Sequence, residues 1–136
     1  GLTPPGLKLF GLSAGLQNYI SMISKNHPVA IKFEALGEEI KDQQIGSMVF
    51  RIIQELITNS IKHSYCDKIS IDLNVSSQLI EIIYRDNGVG FDLSNIKSGL
   101  GLSNIQSRVD SLSGQIQVES DSTGTFYLIN LPIKNF

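Results

Sequence analysis

The sequence predicts a two-layer α+β domain: a mixed, mostly antiparallel five-stranded sheet covered on one face by about three helices. Three observations carry this. Apolar residues switch between helical and alternating spacing in the order α-β-α-β-β-loop-α-β-β. Two pairs of alternating segments are joined by turn-length connections, as hairpins are. And 136 residues, with 41% hydrophobic and 18% charged side chains, suffice for one core but not two.

Each element has its own signal. Thr3-Pro4-Pro5 opens a helix, Thr as N-cap and Pro in the first turn, where its missing N–H costs nothing. Leu9, Leu12, Leu16, Tyr19, Ile20 and Ile23 continue it to Asn26-His27-Pro28. Gly6, Gly11 and Gly15 each weaken it by roughly 1 kcal/mol, so it depends on packing. Val29–Leu36 alternates as a half-buried strand. From Asp42 to His63 the period is helical, with Ile45, Val49, Ile52, Ile53 and Leu56 as its apolar stripe and Met48 at the edge. Lys68–Val75 and Leu79–Tyr84 form a hairpin across Ser76-Ser77-Gln78. Periodicity is then lost from Asp86 to Gly101, a stretch with four glycines. Leu102, Ile105, Val109 and Leu112 mark a helix ended by Gly114 as its C′ residue. Gln115–Ser120 and Thr125–Leu131 make a second hairpin, which Pro132 closes. Phe10, Phe33, Phe50 and Phe126 fall in apolar patterns and read as core.

Composition excludes several classes. A formal charge of −2 gives no basic footprint for nucleic acid. No run approaches the ~18 apolar residues of a membrane span. The single cysteine, Cys66, forbids an internal disulfide and reads as a small, half-buried hydrophobe. The first residue is not Met and no signal peptide follows it. The expectation is a piece of a longer protein from a reducing, cytoplasmic compartment.

Three segments could carry chemistry. Glu55, Asn59 and Lys62 project within a ~60° sector of the long helix, beside its apolar stripe. A carboxylate, an amide oxygen and an ammonium there suit Mg²⁺ and phosphate; the alternative is a solvated helix edge with Arg51 and Glu55 as an i,i+4 ion pair. Asp86-Asn87-Gly88-Val89-Gly90 follows a strand directly. Asp86 could accept from an exocyclic amine such as that of adenine, although D-N-G is also a common turn. Gly99-Leu100-Gly101 heads a helix, where free N–H groups cradle phosphate; a loop capped by Ser103 and Gln106 is the plainer reading. Neither a Rossmann fingerprint nor a P-loop is present.

In order, these segments resemble the ATP-binding catalytic domain of sensor histidine kinases, in the gyrase/Hsp90/histidine-kinase/MutL superfamily. Q-E-L-I-T-N-S-I-K-H (54–63) is similar to its N box, D-N-G-V-G-F-D (86–92) to its G1 box, G-L-G-L (99–102) to its G2 box, and G-T-F-Y-L-I-N-L-P (124–132) to its closing strand. G-L-S-N-I-Q-S-R-V-D-S-L-S-G (101–114) and the acid one turn before the Asn resemble kinases paired with LuxR-type response regulators. In these, L-x-P-x-x-L-x-x-x-G-L-x-x-x-L ends the dimerisation helix, and Leu2–Leu16 matches it. The resemblance implies a Bergerat-type ATP-binding fold with a glycine-containing lid. It divides the chain into a dimerisation-helix end and linker (1–26) and the catalytic domain (27–136).

Carried over, it assigns ATP and Mg²⁺ as cofactors, with Asn59 on the metal and Glu55 as metal support or base. Lys62 and His63 would face phosphate and ribose. Asp86 would accept from the adenine amine, Thr125 sharing a bridging water, and Gly88 and Gly90 would make room for the base. Lys97, Gly99, Gly101 and Leu102 would serve the lid and its phosphates. Such kinases pass the γ-phosphoryl group to a histidine on a dimeric helical hairpin, then to a response regulator. His27 and His63 are the only histidines; His27 reads as exposed loop and His63 belongs to the N box. The chain is thus expected to bind ATP without autophosphorylating alone, and to be monomeric where the whole protein is a homodimer, any membrane anchor lying elsewhere. Two alternatives keep the fold: an anti-sigma-factor-type serine kinase, against which Leu2–Leu16 argues, and a degenerate ATP-gated scaffold.

Overall fold

The computed structural model describes residues 7–90 and 102–133. Its elements are α1 (Leu7–Asn26), β1 (Ala30–Gly37), α2 (Gln43–Asn59), a π-helical turn (Ser60–Ser64), β2 (Lys68–Val75), β3 (Leu79–Asp86), α3 (Leu102–Ser111), β4 (Gln115–Asp121) and β5 (Gly124–Pro132). The strands form one sheet in the order β1-β2-β3-β5-β4. β1 runs parallel to β2 and every other pair is antiparallel. The expected fold class is therefore the one observed.

The pleat sorts the sheet into two faces. Ile69, Ile71, Leu73 and Val75 of β2, Ile80, Ile82 and Tyr84 of β3, and Tyr127, Ile129 and Leu131 of β5 are buried with Leu12, Leu16 and Ile20 of α1, Val49, Ile52, Ile53, Leu56 and Ile57 of α2, and Ile105 and Val109 of α3. The other face is open. Phe126 belongs there, half-buried beneath the Arg85 guanidinium at 4.5 Å, so it is a cation–π platform rather than the core residue its pattern suggested. β1 is an edge strand and more exposed than a half-buried strand should be, with Leu36 67% exposed. The Asp42 carboxylate caps α2, accepting from the Gln44 and Ile45 amides at 2.8 and 3.1 Å.

Glycine changed two helices in ways propensity alone does not express. Gly11 has φ 78° and ψ 173°, so α1 is broken there rather than merely weakened. At the end of α3, Gly114 N–H bonds Val109 C=O at 2.9 Å and Ser113 N–H bonds Asp110 C=O at 3.0 Å. This is a Schellman motif, but its left-handed residue is Ser113, at φ 56°. Gly114 is instead a close approach: a Cβ there would lie 2.6 Å from the Asn130 carbonyl oxygen. Ser113→Gly should therefore stabilise the protein by about 0.5–1 kcal/mol, read as a rise in the urea midpoint. Ser103 and Gln106 both lie within α3, and the Gln106 amide donates forward to Asp110 at 2.8 Å.

Candidate functional site

The C-terminal end of α2, the end of β3 and the start of β5 meet around a cleft of about 310 Å³, open mouth included. Among the described residues it is lined by Asn59, Ser60, His63, Ser64, Asp86, Gly90, Thr125 and Tyr127. Ser60, Ser64, Asp86, Thr125 and Tyr127 are buried, while His63 is exposed, so the floor is closed and the histidine stands at the mouth.

Asp86 ends β3 on the inward face, where the pleat turns its carboxylate under the helices. Its Oδ1 accepts from the Gly88 amide at 3.0 Å and the Thr125 amide at 3.2 Å. Its Oδ2 accepts from the Ser60 hydroxyl at 2.6 Å. A carboxylate has about four acceptor positions; donors among the described residues fill three of them, which leaves one on Oδ2. All three of these donors are neutral, and holding a buried carboxylate by neutral donors costs stability.

The D-N-G segment is a tie, not a hairpin turn. Asn87 Oδ1 accepts from the Asp67 and Lys68 amides, each at 3.0 Å, and its Nδ2 donates to Asp67 Oδ1 at 2.6 Å. Gly90, at φ 73°, brings the chain against the β4–β5 turn, where a Cβ would lie 1.9 Å from the Asp121 carbonyl oxygen. Across the floor, Thr125 Oγ1 lies 2.9 Å from Ser120 Oγ.

The helix does not reach the site as a regular α-helix. Its last turn widens to π over Ser60–Ser64 and stops at Tyr65, which is left-handed at φ 55°. Ser64 Oγ donates to the Ser60 carbonyl at 2.6 Å, while the Ser64 carbonyl accepts from the Val89 amide at 2.8 Å. This wider turn corrects the ~60° sector. Asn59 and His63 line the cleft, Glu55 is half-buried one turn back, and Lys62 is exposed and not among the lining residues. Arg51 pairs with Gln54, its Nη1 donating to Oε1 at 3.4 Å. Leu102 is half-buried and starts α3 without lining the cleft. Gly88 lies beneath Ser64. Lys97, Gly99 and Gly101 lie outside the described residues.

Four floor residues escaped the motif reading: Ser60, Ser64, Tyr84 and Tyr127. A signal existed, since Ser60 and Ser64 continue the buried stripe of Ile53 and Leu56, where a polar residue needs a partner. Burial, and secondarily the Asp86 charge, raises the phenol pKa of Tyr127; burial first, with Asp86 adding and a Ser60 hydrogen bond opposing, raises that of Tyr84 well above its ordinary value. Both keep their protons where an unfolded tyrosine loses them, near pH 10. Their contribution to stability is complete below that pH and is lost as pH rises through the folded-state values. The urea midpoint should fall between pH 9 and 11, and fall less in Tyr127→Phe. Burial likewise pushes the Cys66 thiol up.

Magnesium takes oxygen ligands, commonly one or two from protein and the rest from phosphates and water. Among the described residues no three His, Cys, Asp or Glu side chains converge. A phosphate-borne ion fits. The Asn59 amide nitrogen is shielded from solvent and has no hydrogen-bond partner among the described residues, and a half-turn of the amide presents its oxygen instead. Glu55 stands one turn back.

A family model described as histidine kinase-, DNA gyrase B- and HSP90-like ATPase matches residues 44–135. The signal transduction histidine-protein kinase/phosphatase DegS of Bacillus subtilis (strain 168) is 32% identical over 140 residues, covering 96% of this chain and 36% of that protein. The oxygen sensor histidine kinase NreB of Staphylococcus carnosus (strain TM300) is 26% identical over 136 residues, covering 97% and 39%. The chain thus spans little more than a third of the length of these curated relatives. Two solved structures share the fold: Acinetobacter baumannii histidine kinase AdeS, with TM-score 0.73 at 18% identity over 91% of this chain and 64% of that one, and the catalytic domain of histidine kinase ThkA, with 0.69 at 17% over 89% of each.

Proposed function

Because the chain belongs to the histidine kinase-, DNA gyrase B- and HSP90-like ATPase family, we propose that it is the ATP-binding catalytic domain of a two-component sensor histidine kinase. The observation that carries the site assignment is the buried Asp86 carboxylate, which lines the cleft and keeps one acceptor position unfilled among the described residues. That is the complement of an exocyclic amine.

Adenine enters with its amine on Asp86, Thr125 beside it, and Gly88 and Gly90 giving the base room. The triphosphate then leaves past His63 toward Asn59, with Lys62 at the helix end. Asn59 would hold Mg²⁺, with Glu55 supporting the ion or its water or acting as base, and the ion would supply neutralisation of phosphate charge. The rest is positioning, the main demand of phosphoryl transfer.

The acceptor is a histidine on upstream helices of the same protein, and the final acceptor a LuxR-type response regulator. Residues 1–26 end the dimerisation helix and lead into the domain (27–136). The isolated chain is monomeric and the whole protein a homodimer, with this domain in the cytoplasm. No described helix is long and apolar enough to cross a membrane. Calorimetric titration with Mg·ATP should give saturable one-to-one binding, and no phosphohistidine should form on the isolated chain. Absence of binding would overturn the reading.

A further inference from the structure

Four oxygens stand in a row behind the cleft. The Ser60 hydroxyl donates to Asp86 Oδ2 at 2.6 Å, Ser60 Oγ lies 2.6 Å from the Tyr84 hydroxyl, and that hydroxyl donates to the Leu56 carbonyl at 3.0 Å. Ser60 has one hydroxyl hydrogen and spends it on Asp86. In its contact with Tyr84 the phenol is therefore the donor, its hydrogen shared with the Leu56 carbonyl. Tyr84 is fully buried, and its raised pKa keeps that hydrogen in place.

The Leu56 carbonyl is four residues before Ser60. A serine inside a helix ordinarily turns its hydroxyl back onto that carbonyl. Here the carbonyl already takes the Ser60 backbone N–H and the Tyr84 hydroxyl, while the phenol occupies the serine's acceptor side. The carboxylate can only accept, so the serine hydrogen goes to it rather than to the phenol oxygen.

We propose that Ser60 and Tyr84 are positioning residues for base recognition: the phenol aims the serine hydroxyl, the serine fills one side of Asp86 Oδ2, and the acceptor position left open faces the cleft. The ligand class is a 6-aminopurine nucleotide; a ring carbonyl at the same place would set two acceptors against each other. The inference rests on Asp86 reading the amine.

The test titrates wild type, Ser60→Ala, Tyr84→Phe and the double variant with Mg·ATP and with the Mg complex of purine riboside triphosphate, which lacks the 6-amine. Each single change should lower ATP affinity about three- to tenfold, the scale of one hydrogen bond, and leave the desamino nucleotide unchanged. The double variant should be no weaker than either single one, because both remove the same donation. Packing damage would instead weaken both nucleotides alike. Singles that leave the ratio of the two affinities intact, or losses that multiply in the double variant, overturn the proposal. If Tyr84→Phe does not fold, the ratio in Ser60→Ala decides alone. A wild type that binds both nucleotides equally removes the role of Asp86, and one that binds neither removes the proposed function; the positioning role falls in both cases.

Discussion

Asp86→Asn should weaken Mg·ATP binding about 10- to 150-fold, or about 1.5–3 kcal/mol, while leaving the fold nearly untouched. The asymmetry follows from which atom faces what. Asparagine keeps one oxygen for the Gly88 and Thr125 amides. Its new NH₂ group takes the place of Oδ2, donating to Ser60 Oγ where the carboxylate accepted, and the serine hydroxyl rotates to suit. The scaffold loses charge but keeps three hydrogen bonds. The cleft, however, now presents a donor where adenine presents a donor, and two N–H groups cannot bond each other. Calorimetry should show the loss in affinity, and urea unfolding a midpoint shift worth less than about 1 kcal/mol. Equal affinity in variant and wild type would remove Asp86 from base recognition. A variant that unfolds would instead make the carboxylate a structural anchor, a role that its two backbone donors make conceivable and its open acceptor position does not.

The parts of the fold legible in the sequence were those where one residue's environment repeats. The row Ile69, Ile71, Leu73 and Val75 alternates strictly and is buried throughout, and the α2 stripe is buried from Val49 to Leu56, with Ile45 half-buried at its start. The two hairpins pair β2 with β3 and β4 with β5, but those pairings do not decide that β5 rather than β4 lies beside β3. What escaped was local conformation that residue type does not announce. Ser-Ile-Lys-His-Ser has no feature that separates a π turn from an α turn; the widening is set by Val89 and Cys66 bonding to Ser64. Ser113 takes the left-handed position because glycine is needed one residue later, against β5.

The site divides in the same way. Asn59, His63, Asp86, Gly90 and Thr125 come together at one cleft. The polar floor beneath them is written in the strands themselves. The inward row of β3 runs Ile80, Ile82, Tyr84, Asp86, and that of β5 runs Leu131, Ile129, Tyr127, Thr125. In the paired register Tyr84 faces Tyr127 and Asp86 faces Thr125. Both rows change from aliphatic to polar at the same end of the sheet, so a buried polar chamber is implied there before any family is considered.

Gly88→Ala should cost about 3 kcal/mol of stability, at the upper end for an added methyl group, and lower the melting temperature by about 10 °C. Gly88 does not have a positive φ, so the need for glycine here is not conformational. It is the distance to the helix end: an added Cβ would lie 2.3 Å from the Ser64 carbonyl oxygen, 2.4 Å from Ser64 Cβ and 2.6 Å from Ser64 Oγ. Ser64 cannot retreat. It is buried, its hydroxyl is bonded to the Ser60 carbonyl and accepts from the Cys66 amide, and its own carbonyl accepts from Val89. The methyl group must therefore pry the β3 end away from the π turn, breaking the Val89 bond and drawing the Gly88 amide off Asp86. Stability and nucleotide affinity should fall together, in contrast to Asp86→Asn, where only affinity falls. Thermal unfolding and Mg·ATP titration of the two variants separate the contact that builds the chamber from the contact that reads the base. An alanine variant as stable as wild type would mean that the two walls do not meet this closely in solution.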